Sequence, residues 1–221
     1  MPEVKQGHRH LLKNTNLFYN YIYYAREIIL FFILILILLR RFKKKNLIFI
    51  VYIIFGFIMI FFRNPKIEIK ENSNNILTPV SGKIENIKEL RNFYKIHIYM
   101  SPLDPHILTA PISGKIKLIK DIKRDKDEER ILVIINRGKD TEVKIEQAVR
   151  KLGITGWMSK FLISKRILIN LDEGQKIYQG ERYGIIRFGS EIQLYVPKNF
   201  NLLIKEGDKC KIGKTIIAKK L

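Results

Sequence analysis

A short word written twice does most to limit what this chain can fold into. Ile76-Leu77-Thr78-Pro79-Val80-Ser81-Gly82-Lys83-Ile84 returns as Ile107-Leu108-Thr109-Ala110-Pro111-Ile112-Ser113-Gly114-Lys115-Ile116. Each copy reads as a strand, a Ser-Gly turn and a second strand, because β-branched apolar residues flank a turn dipeptide. A related word closes the chain, Glu206-Gly207-Asp208 followed by Ile212-Gly213-Lys214-Thr215-Ile216-Ile217-Ala218. From Ile76 onward, short β-branched runs bounded by turn residues predict a mainly β fold, a barrel- or sandwich-like domain of short strands over residues 76–221.

The chain before Ile76 follows another pattern. Residues 28–39 and 47–62 are apolar blocks without a charge, separated by Arg40-Arg41-Phe42-Lys43-Lys44-Lys45. Each is shorter than the roughly 20 apolar residues of a full membrane span. Each reaches that length if flanking tyrosines and snorkelling Arg and Lys stems are included. Tyr19, Tyr21, Tyr23 and Tyr24 precede the first block as an interfacial belt would. The expectation is an interfacial segment over 1–27, an α-helical membrane hairpin over 28–62 and a polar linker over 63–75. No small-residue cleavage site separates the blocks, which argues against a removed signal peptide. The basic loop favours the cytoplasm, leaving the membrane side of the domain open.

A net charge of +20 over 221 residues favours a polyanionic partner. The lysines are scattered, without basic runs interleaved by aromatics, so an anionic bilayer is expected and nucleic acid is not. The single cysteine, Cys210, rules out an internal disulfide, and the four histidines lack metal-ligand spacing, so no metal is expected. The charge run over 120–130 reads as a solvated loop, 131–146 as two strands around a turn at 136–140, and 147–160 as a helix or loop near the membrane.

Chemistry is expected in Gly180–Pro197, G-E-R-Y-G-I-I-R-F-G-S-E-I-Q-L-Y-V-P. Two apolar runs flank Gly189-Ser190, as two strands or one bent strand would at a tight corner. By spacing alone the pair is a hairpin turn. In its context, the stretch resembles the pyruvoyl-forming end of short-form phosphatidylserine decarboxylases. Phe61-Phe62-Arg63-Asn64-Pro65 resembles the family's anchor exit. Met100-Ser101-Pro102-Leu103-Asp104-Pro105-His106 resembles its S-P-L-D-V-H segment, and Ala110-Pro111 its later A-P.

The resemblance implies self-cleavage between Gly189 and Ser190, with Ser190 becoming a covalent pyruvoyl cofactor. It implies conversion of phosphatidylserine to phosphatidylethanolamine, with His106 moving protons and Asp104 in support. It also implies a phospholipid substrate, association with the cleaved small fragment, and a cell-membrane location with the domain on the cytoplasmic face. Self-association stays open. Departures stand beside the matches. Thr78-Pro79-Val80-Ser81-Gly82 replaces the family's S-P-A-D-G, so Ser81 takes the place of an aspartate and cannot serve as a carboxylate base. Leu108-Thr109 stands where the family has N-R, and Ser164-Lys165-Arg166-Ile167 matches A-R-R-I in part. The alternative expectation is therefore an uncut, non-catalytic relative that binds anionic lipid or a partner protein. Pro-x-Ser-Gly-Lys-Ile words also occur in barrel-sandwich carriers, whose modified lysine has no counterpart here.

Overall fold

The structure, a computed structural model, describes residues 17–63, 65, 67, 69, 71–124, 128–138, 140–150, 166–187 and 190–221. Most of the interfacial segment, residues 1–16, and most of the expected helix or loop, 151–165, lie outside them.

Two helices come first, α1 (Leu17–Arg41) and α2 (Lys45–Phe61). Both follow from unbroken runs of Ile, Leu and Phe without Gly or Pro at the bend. The turn between them places Lys43 at φ 52°. The helices pack on each other, with the Phe32 and Phe55 rings 5.4 Å apart. Leu34, Ile37, Phe49, Ile53 and Phe57 remain exposed. Among the described residues no helix is both long and apolar enough to cross a membrane.

The remainder is mainly β, as expected. Its strands are β1 (Asn75–Leu77), β2 (Gly82–Glu89), β3 (Phe93–Met100), β4 (Ile107–Thr109), β5 (Gly114–Arg124), β6 (Glu128–Asn136) and β7 (Glu142–Arg150). There follow β8 (Ile167–Ile169), β9 (Lys176–Ile177), β10 (Arg182–Ile186), β11 (Ser190–Pro197), β12 (Phe200–Leu202), β13 (Lys209–Cys210) and β14 (Ile216–Lys220). The repeated words become β1–β2, β4–β5 and β13–β14, each broken at its turn.

An eight-stranded sheet runs β13-β2-β3-β11-β7-β6-β5-β9, and two three-stranded sheets run β4-β10-β8 and β1-β14-β12. Strand alternation explains how they share one core. On β11, Ile192, Leu194 and Val196 point inward while Glu191, Gln193 and Tyr195 are only half-buried. Ile96 and Ile98 of β3, Leu108 of β4, Ile186 of β10, and Ile76 and Ile217 of β1 and β14 join the same cluster.

Three local expectations change. The charge run at 120–130 is strand for most of its length, because β5 continues to Arg124 and β6 begins at Glu128. Alternation leaves most of these charges on the outer side, while Ile131 and Val133 continue the inner row that Glu129 begins. Residues 147–150 finish β7 rather than starting a helix. The linker is packed on the domain. Ile67 and Ile69 lie over Gly213 and Gly180, two positive-φ turn glycines where a β-carbon would strike those side chains. Arg182 Nη2 donates to the Pro65 carbonyl at 2.7 Å, and Gln179 Oε1 accepts from the Asn72 N–H at 2.9 Å.

One buried polar pair ties the large sheet to the β4-β10-β8 sheet. Gln147 Nε2 donates to the Tyr183 hydroxyl at 2.8 Å, both residues being fully buried. Tyr183→Phe should strip that donor of its acceptor and lower stability by about 1–3 kcal/mol in denaturant unfolding. Adding Gln147→Leu should recover much of the loss, because no polar group is then left unpaired.

Candidate active site

The two runs around Gly189-Ser190 do not form a hairpin. β10 lies in the small sheet and β11 in the large one, so the chain changes sheets between residues 186 and 190. A second crossing runs beside it, because β3 belongs to the large sheet and β4 to the small one. Antiparallel pairing locks the crossings together, with Ser190 opposite Met100 on one side and Ile185 opposite Ile107 on the other. Residues 101–106 and 186–187 are thereby forced into one corner with the start of β11. Phe188 and Gly189 lie outside the described residues, and the expected scissile bond is located by Arg187 and the main chain of Ser190.

The longer crossing takes up its extra length in a turn. The Asp104 N–H donates to the Ser101 carbonyl at 2.8 Å, while Asp104 Oδ2 accepts from the Ser101 N–H at 2.9 Å. Pro102 suits the second position of such a turn, and Ser101 Oγ accepts from the Leu103 N–H at 3.3 Å. Asp104 therefore does not orient His106 through its carboxylate. His106 Nδ1 meets the Asp104 main-chain carbonyl at 2.7 Å. A carbonyl only accepts, so Nδ1 carries the proton and the basic lone pair sits on Nε2. The His106 carbonyl in turn accepts from the Ile186 N–H at 3.0 Å, fixing the imidazole to the strand that leads to Ser190.

His106 is 1% exposed. Burial holds its imidazole down at about 4; the hydrogen bond to Asp104 works the other way, and the charge of Arg63 adds to the lowering. The ring is therefore neutral at pH 7. Arg63 links this corner to the end of α2, within the anchor-exit word read in the sequence.

Ser81 lies on the other side of β3 at the same level, since Lys83 faces Tyr99 and Tyr99 faces Glu191. It is buried, and its Oγ accepts from the Ile212 N–H at 3.0 Å. That hydroxyl pins the β13–β14 turn. Cys210 lies beside it with Sγ 3.5 Å from the Gly82 carbonyl, and burial pushes its thiol up.

The sequence reading missed Glu129. It sat inside the run expected to be solvated, yet it is 5% exposed and its Oε2 accepts from the Arg166 N–H at 2.9 Å. The Arg166 carbonyl accepts from the Arg187 N–H at 2.7 Å, so a buried carboxylate and two buried arginines line the approach to the corner. A signal was present, because Glu129 falls in phase with Ile131, Val133 and Ile135 on the inner side of β6. Among the described residues no cluster of His, Cys, Asp and Glu is placed to hold a metal ion.

Residues 54–218 match the family model of phosphatidylserine decarboxylase. The chain belongs to the phosphatidylserine decarboxylase family. It is 34% identical to the phosphatidylserine decarboxylase proenzyme of Wolbachia pipientis wMel over 182 residues, covering 72% of this chain and 73% of the relative. It is 30% identical to the putative archaetidylserine decarboxylase proenzyme of Methanocaldococcus jannaschii over 197 residues, 74% of this chain and 90% of that one. The Chlorobium limicola phosphatidylserine decarboxylase proenzyme is 26% identical over 181 residues, covering 78% and 83%. No solved structure matches the chain.

The buried imidazole makes a pH test specific. A histidine held neutral by the fold gives stability that is complete above its unfolded value near 6.5 and is lost as pH falls toward 4. Thermal unfolding should therefore show an acid loss on the order of 3 kcal/mol across that window. His106→Gln should flatten this part of the profile.

Proposed function

We propose that this chain is a self-processing decarboxylase that converts phosphatidylserine to phosphatidylethanolamine, with Ser190 as both cleavage residue and precursor of its pyruvoyl group. The observation that carries the reading is the shared corner, where a neutral, buried His106 sits on the crossing next to Ser190. Family membership over most of the chain supports the activity, and the proenzyme relatives support a matured, two-fragment form. The departure at Ser81 does not favour the non-catalytic alternative by itself, because the proton acceptor needed for serine attack is supplied from the other crossing.

Maturation begins when the Ser190 hydroxyl attacks the Gly189 carbonyl and His106 Nε2 takes the serine proton. The Gly189–Ser190 amide is exchanged for an ester. Loss of the residue-190 α-proton then expels the Gly189 carboxylate, and hydrolysis of the remaining enamine consumes water and releases ammonia. The residues present fit such a group, since residue 190 is held by the β3 ladder and a neutral imidazole lies on the neighbouring crossing. When formed, the pyruvoyl group supplies the electron sink that decarboxylation of an amino acid requires. His106 then holds the proton destined for the carbon that loses its carboxyl group.

The division of the chain follows from this reading. Residues 1–27 sit at the interface, 28–62 form a membrane hairpin, 63–75 join it to the domain, and 76–221 carry the chemistry on the cytoplasmic face. The exposed apolar side chains of α1 and α2 support a bilayer around them. A lipid substrate would then meet the corner close to Arg63, where α2 ends.

Intact mass is the direct test. The wild type should give two fragments split after Gly189, the smaller blocked by pyruvoyl, while Ser190→Ala should stay whole at 26.1 kDa and form no phosphatidylethanolamine. His106→Ala should slow splitting at least about a hundredfold, the usual contribution of a positioned base. Uncut wild-type chain would establish the non-catalytic alternative instead. Location has its own readout: protease should remove the domain from inside-out vesicles and spare it in right-side-out ones.

A further inference from the structure

A row of three ionisable side chains crosses the outer side of the large sheet beside the cleavage corner. His97 of β3 stands between Glu85 of β2 and Glu191 of β11, with Nδ1 3.2 Å from Glu85 Oε2 and Nε2 3.2 Å from Glu191 Oε2. Each ring nitrogen thus faces a carboxylate oxygen, so the ring bridges β2 and β11 across β3. The arrangement is built by the strands. β2 and β3 shift register between Ile84 and Asn86, leaving Glu85 as the extra residue, and a bulge of this kind re-aims a side chain. Exposure falls along the row, from 46% for Glu85 to 26% for His97 and 12% for Glu191. The carboxylate nearest the corner is thus the less hydrated of the two.

Glu191 adjoins Ser190, where the main-chain grip is one-sided. β11 pairs with β3 from Ser190 onward but with β7 only from Glu191 onward. If the Gly189–Ser190 bond is cut, residue 190 becomes a chain end at the point of weakest pairing, and such ends fray. We infer that the Glu85–His97–Glu191 bridge is a positioning clamp, holding the junction in register before cleavage and the new end of β11 after it. His97 acts through Glu191 and touches no reacting atom. The inference rests on the reading of Ser190 as the cleavage serine, and its test separates the two.

In the uncut Ser190→Ala chain, adding His97→Phe keeps a ring of similar size and removes both ring nitrogens. Amide hydrogen exchange over residues 190–193 should then speed up at least tenfold, with exchange on β5 and β6 unchanged. His97→Arg, which can donate to both carboxylates, should restore protection. In the cleavable chain, His97→Phe should slow splitting roughly tenfold, since small misplacements have effects of this size, and His97→Arg should recover it to within about threefold. Unchanged exchange in His97→Phe overturns the clamp, as does slowing that arginine fails to rescue. A wild type that never splits overturns the cleavage reading alone, because the exchange measurement still decides whether the bridge holds β11.

Discussion

Antiparallel pairing carried through a change of sheet is the constraint from which the site follows. β3 and β11 are partners in the large sheet, β4 and β10 are partners in the small one, and the chain joins β3 to β4 and β10 to β11. Once both ladders form, the two connections have no freedom to separate. They must turn the same corner side by side, and their unequal lengths oblige the longer to fold into the Ser101–Asp104 turn. The crossings that carry His106 and residue 190 come together as a consequence of topology, although 84 positions of sequence separate the two (190 − 106). Rigid sheets on either side then set the geometry more tightly than a loop-borne site would allow.

Burial at that corner selects the chemistry. An imidazole shut away from water loses the charged form first, and the Asp104 carbonyl fixes which nitrogen keeps the proton. The result is a neutral imidazole whose tautomer a main-chain carbonyl sets. Ser81 shows the same economy. Its buried hydroxyl accepts the Ile212 N–H and so ties β13–β14 to the turn before β2. A carboxylate at that buried position would need more partners than one N–H provides.

Much of this was legible in the sequence, and the illegible parts share a cause. The repeated strand–Ser-Gly–strand words announced the β fold because turn chemistry and β-branching are local properties. The run into Ser190 and the S-P-L-D-P-H segment stood out through their resemblance to a known family, not through any local sign of a change of sheet. Long-range placement was not legible. Nothing local says that β10 and β11 fall in different sheets, so the Gly-Ser corner read equally well as a hairpin. Glu129 was hidden by its neighbours, since Lys123, Arg124 and Asp125 to Glu128 made the whole run look solvated while its phase with Ile131 pointed inward. The role of Asp104 was misread in detail because a carbonyl, which every residue has, does what its side chain was expected to do.

The linker completes the argument by relating the corner to the apolar helices. A polar composition over 63–75 suggests a loose tether, yet Ile67 and Ile69 seat on two positive-φ glycine turns, at Gly213 and Gly180. Arg182, at the start of β10, holds the Pro65 carbonyl, and Gln179 gathers Asn72, Asn75 and Pro111 around one amide. The strand that delivers residue 190 is thus bonded to the segment that leaves α2. The strap needs few contacts, because each ties the exit of the helices to an element that also shapes the corner. Loosening it would leave the β core intact and still free the corner from the helices.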